Sequence, residues 1–396
     1  MTERLYYNNS MLLEFDARIV ESGKFDNRHY TVLDRSAFYP TSGGQSYDIG
    51  KLGELTIEEV IESSDGEVLH LSNEPVGKIG QLVHGVVNKK RRIANSQKHT
   101  AQHILSQAFS RLFGWKTVSV HLGEQYAAVE LEEASITNDQ LQAVEDISNE
   151  IVFANYQITI KFLESEELDT IPLRKKPKRE GTLRIIIIGE YDYTACGGTH
   201  CSSTAEVGII KIIGTEKMRG HILVKFLIGA QAFKDYKRRF EVTDYLSHNM
   251  TCGVDDIIEK TDKLVADNKG LKHQVNQLQK DILPIRVQSL VNTANQFGKH
   301  NVVLAVIHDL DSKLTSSLAI QVATQINGIS FLLVDNRLII ATAPECNLHA
   351  DNLVKQIGFE CGLKGGGNKH MAQLGGAKQS FFEQNKKLIE QLVSNE

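Results

Sequence analysis

Proline is scarce in this chain of 396 residues, six in all, and no low-complexity tract or internal repeat interrupts it. With 41% hydrophobic and 23% charged residues, the composition excludes long disorder and collagen-like character. Cysteine is also sparse. Five scattered thiols, an odd number, make no disulfide framework; they fit a reducing compartment, where a cysteine near a histidine reads as a ligand or catalyst. No apolar run approaches the length of a membrane span, the longest aliphatic block, Ile185 to Ile188, being strand-sized. The opening Met1-Thr2-Glu3-Arg4 lacks a positively charged stretch followed by an apolar one, so no signal peptide is read. A soluble, cytoplasmic protein without a membrane partner is expected. A surplus of positive charge is missing too: 44 Lys and Arg against 49 Asp and Glu give a net charge of -5, which excludes a uniformly basic nucleic-acid coat but leaves room for local basic patches.

The length suggests two or three domains. Four textures follow one another in an α+β fold. Residues 1–88 carry short alternating runs and frequent turn signals, which predict a small antiparallel β-barrel-like subdomain. Residues 89–230 mix a helix over Lys89–Leu112 with strands near Ala127–Leu131, Gln157–Leu163 and Arg184–Ile188, an α+β core. Residues 231–298 form a helical, charged spacer. Its apolar seam, Val254, Ile257, Thr261, Leu264, Asn268, Leu271, Val275, Leu278 and Ile282, alternates spacings of three and four as in a coiled coil. An intramolecular helical hairpin and a dimer coil both fit this seam, and Pro284 is expected to kink or end the helix. Residues 299–396 alternate strand and helix as a compact α/β domain with a glycine-rich loop before the last helix.

Two constellations carry chemistry. His99 and His103 are four apart on the first helix, so both imidazoles lie on one face and can address one ion. A metalloprotease reading fails because Thr100, not a glutamate, follows His99. Cys196-Gly197-Gly198-Thr199-His200 follows an apolar strand; its glycines permit a tight loop that turns a thiolate and an imidazole to one point. Together His99, His103, Cys196 and His200 make a full ligand set for one Zn2+ per chain, a closed set of the kind that usually marks structural zinc. Catalysis at it needs a displaceable ligand or a fifth partner, and the sequence does not choose. Cys201 ranks below Cys196 as a ligand. Near the end, Gly365, Gly366 and Gly367 with Lys364 and Lys369 read either as an anion nest or as a loop whose glycines allow close packing.

These motifs, in this order, resemble the editing domain of alanyl-tRNA synthetases and the free-standing AlaX editing proteins. Phe38-Tyr39-Pro40-Thr41-Ser42-Gly43-Gly44-Gln45 resembles the glycine-rich motif of their β subdomain, and Gly365-Gly366-Gly367-Asn368-Lys369-His370 resembles their C-terminal DHHA1 domain. The layout resembles the long AlaX form, and the length leaves no room for an amino-acid activation domain. The resemblance implies trans-editing: hydrolysis of the ester joining serine, with glycine as a second candidate, to the tRNA for alanine. His99, His103, Cys196 and His200 would then serve catalysis as well as metal binding. No nucleophile elbow is present, so metal-assisted attack by water is favoured over a covalent intermediate. Thr41, Ser42, Gly43, Gly44 and Gln45 are the candidate substrate contacts, the hydroxyls for a serine side chain. Arg91, Arg92, Lys175, Lys176, Lys178, Gly365, Gly366, Gly367 and Lys369 are the candidate tRNA contacts. A homodimer through the spacer or the last domain is an expected partner arrangement. Two competing readings are a non-catalytic tRNA-binding protein with structural zinc and a hydrolase of some other ester or amide.

Overall fold

A computed structural model describes residues 1–177, 180–218, 220–308 and 310–394. The chain divides into two units, Met1–Tyr245 and Leu246–Glu396.

The first unit opens with nine strands: β1 (Glu3–Arg4), β2 (Glu14–Phe25), β3 (Arg28–Leu33), β4 (Arg35–Ser36), β5 (Gly50–Leu52), β6 (Leu55–Ile57), β7 (Glu59–Glu62), β8 (Val68–Ser72) and β9 (Leu82–Val87). Seven of them form one sheet in the order β6-β5-β9-β2-β3-β8-β7. Its two edge strands are separated in sequence only by Glu58, so the sheet must curl until its edges meet, a nearly closed barrel. Alternation supplies the core: Phe15, Ala17 and Ile19 of β2 and Val83, Gly85 and Val87 of β9 are buried inside, while the residues that alternate with them are exposed.

The remainder of this unit is α1 (Lys89–Phe113), β10 (Thr117–Leu122), β11 (Ala127–Leu131), α2 (Asn138–Phe153), β12 (Ile158–Leu163), β13 (Leu183–Ile188), β14 (Asp192–Ala195), β15 (Ile210–Met218) and β16 (His221–Ile228). The Asn88 side chain caps α1 by accepting from Arg91 N–H, and Gly114 ends it at φ 70°. A capping box between Thr137 and Gln140 starts α2. Both helices pack on the sheet β10-β11-β16-β15 through Ile104, Leu105, Phe109, Val144 and Val152. Each such fully buried Leu or Phe contributes about 1.5–3 kcal/mol. A second sheet, β12-β13-β14, carries the strand that leads into the Cys196 loop.

Barrel and core are joined by a buried ion pair. Arg92 is fully buried and donates to Asp48 and to the carbonyls of Ser10 and Ala37, while Asp48 also accepts from Tyr39 N–H. This corrects the expectation that Arg92 faces a tRNA phosphate: it lies on the inner face of α1, on the same side as Ser96, His99 and His103. Arg91 is likewise engaged, donating to Tyr47 O and Glu124 with its guanidinium over the Tyr47 ring.

Helix α3 (Gly229–Met250) spans the division between units. The second unit continues with α4 (Ile257–Asp281), α5 (Leu283–Val291), β17 (Asn295–Phe297), β18 (His300–Val306), α6 (Ser312–Gln325), β19 (Ile329–Val334), β20 (Arg337–Thr342), α7 (Ala350–Cys361), β21 (Lys364–Gly367), β22 (Met371–Gly375) and α8 (Phe381–Ser394). Pro284 sits in the first turn of α5, where the helical path restarts. α4 buries none of its residues, and Leu264, Leu271, Val275 and Leu278 of the expected seam are each more than half exposed. The six strands run β17-β18-β19-β20-β22-β21, with β18 and β19 parallel around the α6 crossover. Successive residues of β19 divide between two cores: Phe331 and Leu333 face α7 and α8, Leu332 and Val334 face α5 and α6.

The glycine run is a correction. Gly365, Gly366 and Gly367 are not a loop or an anion nest; they form the edge strand β21, paired with β22. A nest needs alternating backbone hands, whereas an extended strand points successive N–H groups to opposite sides. A Cβ on Gly365 would lie 1.9 Å from Gln373 O and one on Gly367 2.3 Å from Ala372 Cα, but one on Gly366 meets nothing within 4 Å.

Two predictions follow from this packing. Arg92→Met leaves Asp48 buried without its counter-charge and lowers stability by about 3–5 kcal/mol, read in a urea titration of the intact chain. In thermal melts, Gly365→Ala and Gly367→Ala destabilise while Gly366→Ala stays within about 0.5 kcal/mol of the parent.

Candidate metal centre

His99 and His103 come from successive turns of α1, and Cys196 and His200 from the loop after β14. One ligand atom from each lies within 4.8 Å of all the others. Cys196 Sγ is 3.3 Å from His99 Nε2 and 3.4 Å from His200 Nε2. All three imidazoles are buried.

Each imidazole is oriented from behind at Nδ1. Gln45 Oε1 lies 2.8 Å from His99 Nδ1, Asp192 Oδ2 3.2 Å from His103 Nδ1, and Thr100 Oγ1 3.2 Å from His200 Nδ1. Gln45 Oε1 also accepts from Thr199 N–H, and its Nε2 donates to Thr199 Oγ1, which fixes the amide orientation. An amide oxygen and a carboxylate can only accept, so His99 and His103 carry their protons on Nδ1 and present Nε2 lone pairs to the centre. Thr100 Oγ1 already accepts from Cys201 N–H and offers a further lone pair to His200.

The Cys196 loop is braced by Arg184, which donates to the carbonyls of Cys196 and Gly198 and to Tyr7 O, its guanidinium lying over the Tyr7 ring. A Cβ on Gly198 would fall 2.1 Å from the His99 ring, so this loop closes on the helix only with glycine there. Burial by itself would raise the Cys196 thiol, but electrostatic interaction with His99 and the close approach of the His103 and His200 imidazoles outweigh it and hold the thiol well below its ordinary value. Burial also works against a charged His103, yet Asp192 and Cys196 overcome it and raise that group. Burial, then electrostatic interaction with His99, pushes His200 well down. Cys201 is different: burial pushes its thiol up to about 12, and it packs in the apolar core. A thiolate with three imidazole donors, each oriented from its second nitrogen, is a donor set that fits zinc.

The glycine motif of the barrel reaches this centre through one residue. The turn Ser42–Gln45 is closed by Ser42 N–H donating to Gln45 O and by the reverse bond, with Gly43 and Gly44 at φ 55° and 82°. Gly44 O accepts from Leu122 N–H, docking the turn on β10 and driving Gln45 into the interior. Gln45 therefore stands behind a ligand, while Thr41 and Ser42 are exposed. Of the expected tRNA contacts, Lys175 and Lys369 are exposed, Lys176 pairs with Asp169 at the surface, and Lys178 lies outside the described residues. Asp192, Thr100 and Arg184 are functional residues that the sequence reading missed. Asp192, Thr194 and Cys196 share strand parity, and that period of two was the available signal for the first.

Two of the four donors, His103 and Cys196, line a cleft of about 620 Å³ together with Trp115, Thr117, Arg174 and Lys175. That is the size of a small-molecule site. Among the described residues, no helix is long and apolar enough to cross a membrane.

A family model for the threonyl and alanyl tRNA synthetase second additional domain matches residues 183–222, the stretch holding β13, β14 and the Cys196–His200 loop. That stretch is thus similar to the second additional domain of those synthetases. The chain is 29% identical over 390 residues to the alanyl-tRNA editing protein AlaX-L of Pyrococcus horikoshii, with 94% of each chain covered. It is 28% identical over 406 residues to the alanine–tRNA ligase of Methanococcoides burtonii, covering 96% of this chain but only 43% of that enzyme. Along nearly its whole length the chain is thus similar to an alanyl-tRNA editing protein. Among solved structures, the C-Ala domain of Aquifex aeolicus alanyl-tRNA synthetase matches 26% of this chain and 97% of its own at 18% identity, with a TM-score of 0.24, too low to relate the folds.

Gln45→Ala and Asp192→Ala each lower zinc affinity by about 10- to 100-fold in chelator competition, whereas Thr41→Ala leaves it unchanged.

Proposed function

We propose that this chain is a zinc-dependent aminoacyl-tRNA deacylase that acts in trans on mischarged tRNA for alanine, removing serine and, as a second candidate, glycine. The observation that carries the reading is the convergence of four oriented donors where two of them line an open cleft. The kinship with an alanyl-tRNA editing protein over the length of the chain supports it.

His99, His103, Cys196 and His200 would hold the metal, with Gln45, Asp192 and Thr100 keeping their lone pairs aimed and Arg184 keeping the loop closed. When bound, zinc supplies Lewis-acid polarisation of an ester oxygen and a lowered pKa for a water. The chain's own part is positional. The Asp192 carboxylate holds a proton on His103 Nδ1, and the three imidazoles are buried away from bulk water. The exposed cations Lys89, Lys90 and Lys175 suit phosphate contacts, which give affinity and salt dependence rather than sequence choice. The exposed seam of α4 offers a surface for a second copy.

A second reading, a tRNA-binding protein with structural zinc, is favoured by the count of four protein ligands, which usually closes a site. Deacylation of seryl-tRNA for alanine separates the two. The expected result is hydrolysis that is lost on chelation, returns with zinc, and falls by roughly 10²-fold or more in Cys196→Ala, since metal polarisation is worth several kcal/mol. Undiminished hydrolysis after metal removal favours the second reading of the metal, and no hydrolysis at all removes the deacylase.

A further inference from the structure

We propose that the cleft beside the metal centre is a nucleoside subsite in which an adenine base rests on Trp115, its ligand being the 3′-terminal adenosine that carries the amino acid. This rests on the editing reading and gives its substrate a place.

Trp115 follows the Gly114 cap of α1 and is half-buried. Its indole lies nearly parallel to Phe109, 18° apart with centroids at 6.1 Å, and against Phe113 at 4.8 Å. These rings fix it from the protein side, and the indole also lines the cleft that His103 and Cys196 line. An aromatic surface held rigid by packing gives a base a stacking platform at little entropic cost.

The intervening wall has matching chemistry. His103, Ser106 and Ser110 share one face of α1 and all line the cleft. From His103 to Ser110 the helix rises roughly 10 Å, the scale of an aminoacyl nucleoside lying along it. Midway, Thr117 Oγ1 and Gln102 Nε2 both donate to Ser106 Oγ at 2.8 Å, a hydroxyl and amide group suited to ribose oxygens. Lys116 and Lys175 line the same space against a single lining carboxylate, Glu132, while Arg174, also in the wall, is held by Asp192 and the His103 carbonyl, so the lining is positive, as a nucleotide's phosphates require. An amino acid by itself would fill little of about 620 Å³. A purely apolar ligand would leave the hydroxyls and cations unmatched.

The chain has one tryptophan, so its fluorescence reports this position alone. The zinc-loaded full chain is titrated with a non-hydrolysable 3′-seryl-amido adenosine and, separately, with serine amide. A saturable change with the nucleoside and none with serine amide is expected. In steady-state deacylation of seryl-tRNA, Trp115→Ala should raise KM about tenfold with kcat and zinc content little changed, and Trp115→Phe should recover most of the loss. An unaltered spectrum at nucleoside concentrations that inhibit deacylation, or an unaltered KM in a folded, zinc-replete Trp115→Ala, overturns the proposal. The fluorescence reading needs no turnover. A saturable change in a chain that deacylates nothing would therefore remove the editing function and keep the nucleoside site, whereas deacylation without the change would remove the nucleoside site alone.

Discussion

An imidazole has two nitrogens, and in a dry interior both must be satisfied. That constraint organises the first unit. Three histidines can turn three lone pairs to one point only if three other groups accept at the far nitrogens, and those groups come from three places: the barrel turn (Gln45), the helix itself (Thr100) and the strand ahead of the cysteine loop (Asp192). Without them, buried histidines would favour whichever tautomer the surroundings allowed, and the donors would not agree on a direction. Only one of the three acceptors is charged. Asp192 accordingly supports positive charge on His103, while burial and the neighbouring His99 push His200 the other way.

The same constraint explains why a small barrel is fastened to the core so firmly. A nearly closed sheet of seven short strands has a modest core of its own, and its attachment is polar. Arg92 reaches back to Asp48 and two carbonyls, Arg184 ties the turn at Tyr7 to the cysteine loop, and Gln45 stands behind His99. Buried guanidinium groups make weak glue by net energy, but their fixed forks leave few alternative dockings. Their contribution is to registration, and the metal donors inherit it.

Much of this was legible in the sequence because it was local. Spacing of four on a helix and a Cys-Gly-Gly-Thr-His loop each declare a geometry within a few residues. The strands at Ala127–Leu131 and Leu183–Ile188 declare themselves by aliphatic content, and the barrel by alternation. What failed was of two kinds. Arg92 looked like part of an exposed basic run, although Arg92, Ser96, His99 and His103 repeat at helical spacing and share the buried face; a charge run is assigned outward unless a distant carboxylate is known, and Asp48 lies 44 residues away. Gly365–Gly367 looked like a loop because glycine carries no side chain to alternate, so the period that reveals a strand is absent where the strand is most exposed. The role of Gln45 is long-range in the same way: nothing near it in sequence names His99 as its partner.

The assembly of the centre also has a time order. His99 and His103 are synthesised together and, once α1 forms, offer a bidentate grip on a metal. The other two ligands arrive about 100 residues later, and at roughly 5–20 residues per second the nascent chain waits on the order of 5–20 seconds between a half-site and a whole one. Gln45, by contrast, is already in place. A chain built in this order would offer a metal first only two imidazoles, a weak and exchanging site, and would gain the selectivity of a thiolate when the loop closes.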